Sequence, residues 1–211
     1  TLSITNSAFT DNTAGVSSSG YGGAIHNEKG SVTITNTDFT GNHASSADGG
    51  AISNRADLTI NGGLFESNSA GANGGAIING TNTSSVDIDA NLTIQGATFK
   101  DNNAITSGGA IYNRVSDSAT NTTHTVHIKE GTKFEHNYVA NGLSLEGSGG
   151  AILNSGAASS YQKDAVLIID GTDSNKVTFK NNLAIDGGAI YNVGNATVNN
   201  AVFESNGVED P

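Results

Sequence analysis

The chain has 211 residues, with 20 acidic and 9 basic side chains and a formal net charge of -11 at pH 7. This acidic balance argues against nucleic acid and anionic membrane surfaces as partners, because both would repel the chain. The sequence contains no cysteine, which excludes a disulfide framework, and no apolar run long enough to cross a bilayer as a helix.

Three short segments recur along the chain in a fixed order. The first places two large apolar residues on either side of a third residue, at 2–4, 32–34, 58–60, 92–94, 126–128 and 167–169. The second is Phe-x-x-Asn, which contains every phenylalanine of the chain: Phe9, Phe39, Phe65, Phe99, Phe134, Phe179 and Phe203. The third is Gly-Gly-Ala-Ile-x-Asn, which begins at Gly22, Gly49, Gly74, Gly108, Gly149 and Gly187.

This repeat predicts an all-β solenoid. Within the segments, apolar residues alternate over three to five positions, which is the period of a strand and too short for a helix. We expect a right-handed parallel β-helix in which each turn of roughly 24 residues contributes three short strands. About seven such rungs would stack ~4.8 Å apart. We expect one domain over residues 1–211, as a piece of a longer protein.

The residue after each phenylalanine tests this register. The column reads Thr10, Thr40, Glu66, Lys100, Glu135, Lys180 and Glu204, so the charge alternates from the third copy onward. Stacking in register would place each charge between two opposite ones, which stabilises neighbouring strands. We therefore predict that this column faces solvent.

The asparagines and glycines that recur in every copy of the repeat predict the corners of the coil. We interpret both asparagine columns as turn residues in the left-handed region, with side-chain amides that bond to the neighbouring rung. The paired glycines predict a tight bend that leaves little room for side chains.

Insertions interrupt the repeat at one corner. Between Gly-Gly-Ala-Ile-x-Asn and the next apolar segment, three turns have three or four residues, whereas residues 80–91, 114–125 and 155–166 each number twelve. Insertions in consecutive rungs are expected to project side by side as one surface. A further excursion covers residues 138–148. The alternative is that the insertions are tolerated drift, since surface insertions cost little stability.

An apolar stripe is predicted beside these insertions. The variable residue of Gly-Gly-Ala-Ile-x-Asn is expected to face outward, and it runs His26, Ser53, Ile78, Tyr112, Leu153 and Tyr191. Either the insertions cover this stripe, with Val86, Ile88, Val115 and Tyr161 as candidate lids, or a partner does. The candidate binding residues are Ile78, Tyr112, Leu153, Tyr191, Asp87, Asp89, Arg114 and Tyr161.

Residues for catalysis are scarce. The only arginines are Arg55 and Arg114, and the closest acidic pairs are Asp87 with Asp89 and Asp170 with Asp173. His124 and His127 come nearest to a metal-ligand spacing, but strand alternation separates them. We therefore expect no metal site, no cofactor and no enzymatic activity.

The alternating pair Phe-x-x-Asn and Gly-Gly-Ala-Ile closely resembles the repeat of chlamydial polymorphic membrane proteins (Pmp), over residues 1–206. This resemblance implies an autotransporter passenger, which is exported through its own C-terminal β-barrel and displayed at the bacterial outer membrane as an adhesin. The segment would contact the membrane only through that barrel, which lies outside it.

From the resemblance and the insertions together, we expect a noncatalytic, extracellular adhesin segment. Its partner would be a host-cell receptor or a surface glycan. The exposed strand edges of a solenoid also predict self-association. Two alternatives stay open: a polysaccharide-active or polysaccharide-binding β-helix like the pectate lyases, and a structural stalk.

Overall fold

The computed structural model describes residues 1–15, 20–80, 89–115, 122–142, 144–145, 147–156 and 164–207. In these ranges all regular secondary structure is β-strand, arranged in four sheets that the chain visits in turn. No helix in this part of the chain is long and apolar enough to span a bilayer.

Three of the four sheets each collect one segment of the repeat, and sheet 3 lies between the second and third segments. Sheet 1 holds the first apolar segment, in the strands Leu2–Thr5, Ser31–Thr35, Asp57–Asn61, Asn91–Gln95, Thr123–Lys129, Asp164–Asp170 and Asn195–Asn199. Sheet 2 holds the phenylalanines, in Ala8–Thr10, Asp38–Thr40, Leu64–Glu66, Thr98–Lys100, Lys133–Glu135, Val177–Lys180 and Ala201–Glu204. Sheet 3 contains Thr13–Ala14, His43–Ala44, Ser69–Ala70, Asn103–Ala104, Tyr138–Asn141 and Ser144–Leu145. Sheet 4 holds Gly-Gly-Ala-Ile-x-Asn, in Ile25–Asn27, Ile52–Asn54, Ile77–Gly80, Ile111–Arg114, Ile152–Ser155 and Ile190–Asn192.

The predicted parallel β-helix is confirmed, with one difference. Neighbouring rungs pair in parallel and in the register of the repeat, as where Leu92 lies opposite Leu58. The structure adds sheet 3, which was not predicted and which gives each of the first five rungs a fourth strand. Most of its strands have two residues and a single inward side chain, such as Ala70, so no alternation was visible in the sequence. Its last strand, Ser144–Leu145, pairs antiparallel with Tyr138–Asn141 as a hairpin.

The phenylalanines form one stack along the inside of sheet 2. The centroids of neighbouring rings lie 4.7 to 5.0 Å apart, and the ring planes are within 13° of parallel. The five inner rings are fully buried, whereas Phe203 is 47% exposed. The inward-facing isoleucines of sheets 1 and 4 belong to the same core, as do Leu58, Leu92 and Leu167 of sheet 1. Because each rung shares its core with its neighbours, burial stabilises the stack as a whole.

The asparagine of Phe-x-x-Asn forms a continuous ladder between rungs. In a typical step, the backbone N–H and the Nδ2 of Asn68 donate to Oδ1 of Asn102 at 3.0 and 2.9 Å. The other Nδ2 hydrogen is donated to the carbonyl oxygen of Phe39 at 2.9 Å. The predicted bonding between rungs is therefore confirmed.

The prediction that these asparagines adopt the left-handed conformation is wrong, because the residue before each of them adopts it instead. The residues with positive φ precede them: Asp11, Gly41, Ser67, Asp101, His136, Asn181 and Ser205. The preceding residue makes the turn, so the asparagine side chain points inward and reaches the next rung.

The paired glycines lie where the backbone bends into sheet 4. The first glycine of each pair has a φ between +60° and +73°. A Cβ atom on the second glycine, such as Gly75, would overlap the carbonyl oxygen of its counterpart in the next rung, Gly109. Only glycine fits both positions, as predicted.

The alternating charges after the phenylalanines stack in register, as predicted. Nζ of Lys100 lies 2.6 Å from Oε1 of Glu66, and Nζ of Lys180 lies 3.9 Å from Oε2 of Glu204. Glu135 makes no ion pair with any residue that the structure describes. The column is partly open to solvent, so its pairs contribute little to stability.

Candidate functional site

The three twelve-residue insertions leave and re-enter the coil at the same corner, between sheets 4 and 1. Their first residues are paired across neighbouring rungs, with Arg114 between Gly80 and Ser155. Their last residues are paired in the same way, with Thr125 between Asn91 and Val166. We call these six residues, with the described residues between them, the insertion corner. The ends of the three insertions therefore lie side by side, whereas the predicted joint surface falls largely on residues outside those described.

The second asparagine ladder closes the base of each insertion. Nδ2 of Asn79 donates to the carbonyl oxygen of Ala90 at 3.0 Å, across the insertion. Asn113 and Asn154 make the same bond to the carbonyl oxygens of His124 and Ala165, at 3.0 and 3.1 Å. In the second rung, which has the three-residue turn, Asn54 donates to the carbonyl oxygen of Ala56 at 2.7 Å. The same clamp therefore accepts a short turn or a long insertion.

The same asparagines connect the rungs to one another. Their Nδ2 atoms donate to Oδ1 of the next asparagine at 2.7 to 2.9 Å, from Asn27 through to Asn192. Asn54, Asn79, Asn113 and Asn154 are fully buried. The insertions are thus mounted on a rigid, internally bonded corner.

Further contacts hold the insertion bases together. The backbone N–H of Thr123 donates to Oδ1 of Asp89 at 2.8 Å, which joins the first insertion to the second. Val115 and Ala165 are both buried and pack against each other, which joins the second insertion to the third.

A buried histidine lies at this corner. His124 is 3% exposed, and its Nδ1 lies 2.5 Å from the carbonyl oxygen of Arg114. Its side chain lies on the inner side of its strand. In other rungs the same position is occupied by Ala56, Ala90 and Ala165. A Cβ atom at Gly80 would overlap its ring. A glycine at position 80 therefore makes space for the imidazole.

The predicted stripe exists as a column, but most of it is not exposed. Ile78, Tyr112, Leu153 and Tyr191 are paired in succession across four rungs. Ile78, Tyr112 and Leu153 form a cluster apart from the main core, and each is at most 7% exposed. The chain itself therefore removes these three side chains from solvent, without a partner. Tyr191 is 37% exposed.

The other candidate binding residues divide between described and undescribed positions. Arg114 lies at the corner with its guanidinium carbon 5.9 Å from the ring centroid of Tyr112. Asp89 is exposed beside the corner. Asp87 and Tyr161, and the candidate lids Val86 and Ile88, lie outside the described residues. Val115 is described, and it packs on Ala165.

A cluster that sequence reasoning missed covers the same face in the first two rungs. The guanidinium carbon of Arg55 lies 4.6 Å from the ring centroid of Tyr21, and the Tyr21 ring stacks on His26 at 5.6 Å. Oε2 of Glu28 bridges Arg55 and His26, at 3.0 and 2.8 Å. Tyr21 and Arg55 stand in different repeats and outside the motifs, so no sequence pattern relates them.

The pKa of Glu28 reflects this cluster. Partial burial acts to raise it, but the hydrogen bond from His26 and the charge of Arg55 outweigh that effect and lower the pKa below its ordinary value. Glu28 therefore stays ionised and holds both partners in place.

The arrangement offers little to catalysis. Among the described residues, no three histidine, aspartate or glutamate side chains come together as a metal site. His124 and His127 lie on opposite sides of their strand, one buried inside and the other at the outer face. Asp170 and Asp173 are both exposed, which is typical of solvated surface acids.

Comparison with known proteins identifies the repeat. A family model for the Chlamydia polymorphic membrane protein repeat matches four times, at residues 6–28, 36–55, 96–114 and 176–193. Each match contains one Phe-x-x-Asn and the Gly-Gly-Ala-Ile-x-Asn that follows it. Searches of the curated proteins and of the solved structures gave no significant match.

Proposed function

Because this chain is a repeat protein of the chlamydial polymorphic membrane protein type, we propose that it is a noncatalytic segment of a surface-exposed adhesin. Its partner is a host-cell receptor or a surface glycan. The repeat family consists of non-enzymatic surface proteins, which supports display at the cell surface, outside the outer membrane. A binding role for this segment goes further than the family resemblance.

The insertion corner is the observation that carries this proposal. Three consecutive rungs present long insertions at one place, and their first and last residues are held in register. A rigid scaffold with variable segments grouped at one edge is the arrangement that many binding proteins use. Arg114, Asp89 and Tyr191 are the described side chains nearest to this role. Ile78, Tyr112 and Leu153 support the surface from beneath.

The acidic balance of the chain is consistent with a protein or glycan partner. A net charge of -11 disfavours anionic polymers and membranes. A polysaccharide-active enzyme is the less favoured alternative, because the described acids and histidines do not converge on a site. A stalk is the other alternative, and it would need no insertions at one corner.

The test is attachment of cultured host cells to surfaces coated with the purified chain. In the trimmed variant, residues 80–91, 114–125 and 155–166 are each replaced by Arg-Ala-Asp, the turn at residues 55–57. Ile78, Tyr112 and Leu153 are changed to serine, which the second rung carries as Ser53 beside that turn. We expect the parent to hold cells and the trimmed variant to lose most of this attachment.

The matched control changes Thr10 and Thr40 to alanine, on the outer face of sheet 2. This variant should hold cells as well as the parent. A folded trimmed variant that still holds cells would overturn the assignment of binding to the insertion corner. If the parent itself binds neither cells nor any glycan of an array, the chain is a structural stalk.

A further inference from the structure

Five Asn-Gly pairs occur in the chain, and the structure places them in different surroundings. They are Asn61-Gly62, Asn73-Gly74, Asn79-Gly80, Asn141-Gly142 and Asn206-Gly207. In such a pair the backbone nitrogen of glycine can attack the side-chain amide of asparagine, because glycine has no side chain to hinder the approach. The reaction requires a free backbone nitrogen and a mobile amide.

Hydrogen bonds of the coil occupy the glycine nitrogen in three of the pairs. Gly62 donates its N–H to the carbonyl oxygen of Gln95 at 2.8 Å, and Gly74 donates to that of Ser107 at 2.9 Å. Gly207 donates to the carbonyl oxygen of Asn182 at 3.1 Å. Each nitrogen is held by a neighbouring rung, away from the preceding side chain.

The fourth pair is protected through its asparagine. Asn79 is fully buried, and its Nδ2 donates both to Ala90 and to Asn113. Its Oδ1 accepts from Asn54 at 2.8 Å. An amide bonded on both sides cannot turn toward the backbone nitrogen of Gly80.

The remaining pair, Asn141-Gly142, lies at the end of the hairpin strand Tyr138–Asn141, where Asn141 pairs with Ser144. Both residues are exposed. Within the described part of the chain, neither the Gly142 N–H nor the Asn141 side chain has a hydrogen-bond partner outside this strand pairing. Gly142 has a φ of +64°, and a Cβ atom there would meet no atom within 4 Å. Gly142 is the first of the two residues between the paired Asn141 and Ser144, a position where one type of tight hairpin turn favours glycine.

We propose that Asn141 is a site of spontaneous covalent modification by deamidation. The nitrogen of Gly142 forms a bond to Cγ of Asn141, the bond from Cγ to Nδ2 breaks, and ammonia leaves with the proton from Gly142. The product is a cyclic imide. Water then opens the ring at either carbonyl, which gives aspartate or isoaspartate at position 141. No oxidant or cofactor takes part.

Both products change the hairpin. Aspartate adds a negative charge to a chain that already carries a net charge of -11. Isoaspartate also routes the backbone through the side chain, which lengthens it by one carbon and breaks the pairing of Asn141 with Ser144. The hairpin is part of sheet 3, whereas the insertions leave from the far end of sheet 4. Attachment through the insertion corner should therefore be unaffected.

Peptide mapping by mass spectrometry tests this proposal. The folded chain is incubated at mildly alkaline pH, and each Asn-Gly peptide is followed for the mass gain that results when the NH2 of the side-chain amide is replaced by OH. Only the peptide with Asn141 should gain mass readily, as two products of equal mass. The coil sites react only through local opening, so we expect each of them to be more than about tenfold slower.

Two controls keep the result specific. Asn141→Gln should abolish the reaction, because the longer side chain does not form the five-membered imide. In a denaturing concentration of urea all five pairs should react at similar rates, which would attribute the protection to the fold. The proposal is wrong if Asn61 or Asn73 reacts as fast as Asn141 in the folded chain, or if Asn141 stays intact there while it reacts in urea.

Discussion

At the scale of single residues, the buried asparagines hold neighbouring rungs together. Asn102 donates its backbone N–H and Nδ2 to Asn137, donates Nδ2 also to the carbonyl oxygen of Phe65, and accepts two bonds from Asn68. Every donor and acceptor of this amide is used in a place that water does not reach. Such groups are costly to leave unpaired.

We therefore predict that Asn102→Ala lowers the free energy of unfolding by on the order of 3–5 kcal/mol, because several buried partners lose their bonds at once. Asn91→Ala is the matched control, since Asn91 is exposed and bonds only Asp57 through its side chain, at 3.1 Å. That change should cost less than about 1 kcal/mol. Urea unfolding of both variants gives the comparison, and equal losses would contradict the role of the ladder.

His127 makes the stability depend on pH. It takes the place in the outer column of sheet 1 that Thr93 has in the preceding rung, and its Nε2 is buried without a hydrogen-bond partner among the described residues. Partial burial, together with the charge of Lys129, lowers the pKa of His127 below its ordinary value of 6.5, and the charges of Asp170 and Glu130 only partly oppose this. The folded chain therefore binds a proton at His127 less readily than the unfolded chain does.

The sign of the pH effect follows from this lowered pKa. The stability linked to His127 is fully present above pH 6.5 and is lost as the pH falls below it, through the lowered pKa. We predict that His127→Thr, which copies Thr93, flattens this part of the stability profile. Urea unfolding measured across that range provides the check, and parallel profiles for parent and variant would show that His127 has no such role.

At the scale of elements, stacked identical side chains make each strand depend on its neighbours. Phe99 is fully buried between Phe65 and Phe134, with ring centroids 4.7 and 5.0 Å away. The backbone ladders on both sides keep the rungs from closing a gap. We predict that Phe99→Ala costs about 3–5 kcal/mol. Phe203→Ala should cost much less, because Phe203 is 47% exposed and has one ring neighbour. Similar losses in thermal unfolding would contradict the assignment of inner and outer rungs.

The motifs predicted sheets 1, 2 and 4 because each contains an inward side chain large enough to recognise, such as Phe39 or Ile52. Sheet 3 was missed because its inward residue is most often alanine, as at Ala44. Burial of Ile78 by the chain was one of two alternatives, and the sequence could not decide between them because alternation gives the side of a strand and not what lies above it. The cluster of Tyr21 with Arg55 forms only once the rungs are stacked.

At the scale of the whole molecule, the chain combines a uniform coil with variable insertions. The coil needs only the three motifs. Each asparagine of the second ladder closes the corner by a hydrogen bond to a carbonyl oxygen, whether a short turn or a long insertion separates the two residues. Insertions at this corner can therefore change without disturbing the rungs. The scaffold and the variable surface are therefore separate parts of the molecule.

The thermal midpoint of the trimmed variant tests whether the scaffold is independent of the insertions. With all three insertions replaced by Arg-Ala-Asp and the cluster residues by serine, the clamp bonds of Asn79, Asn113 and Asn154 should persist as they do for Asn54. We predict one cooperative transition within about 4 °C of the parent, which corresponds to roughly 1 kcal/mol for a chain of this size. A broad transition, or a midpoint far below that of the parent, would contradict the account, because it would show that the insertions are part of the scaffold.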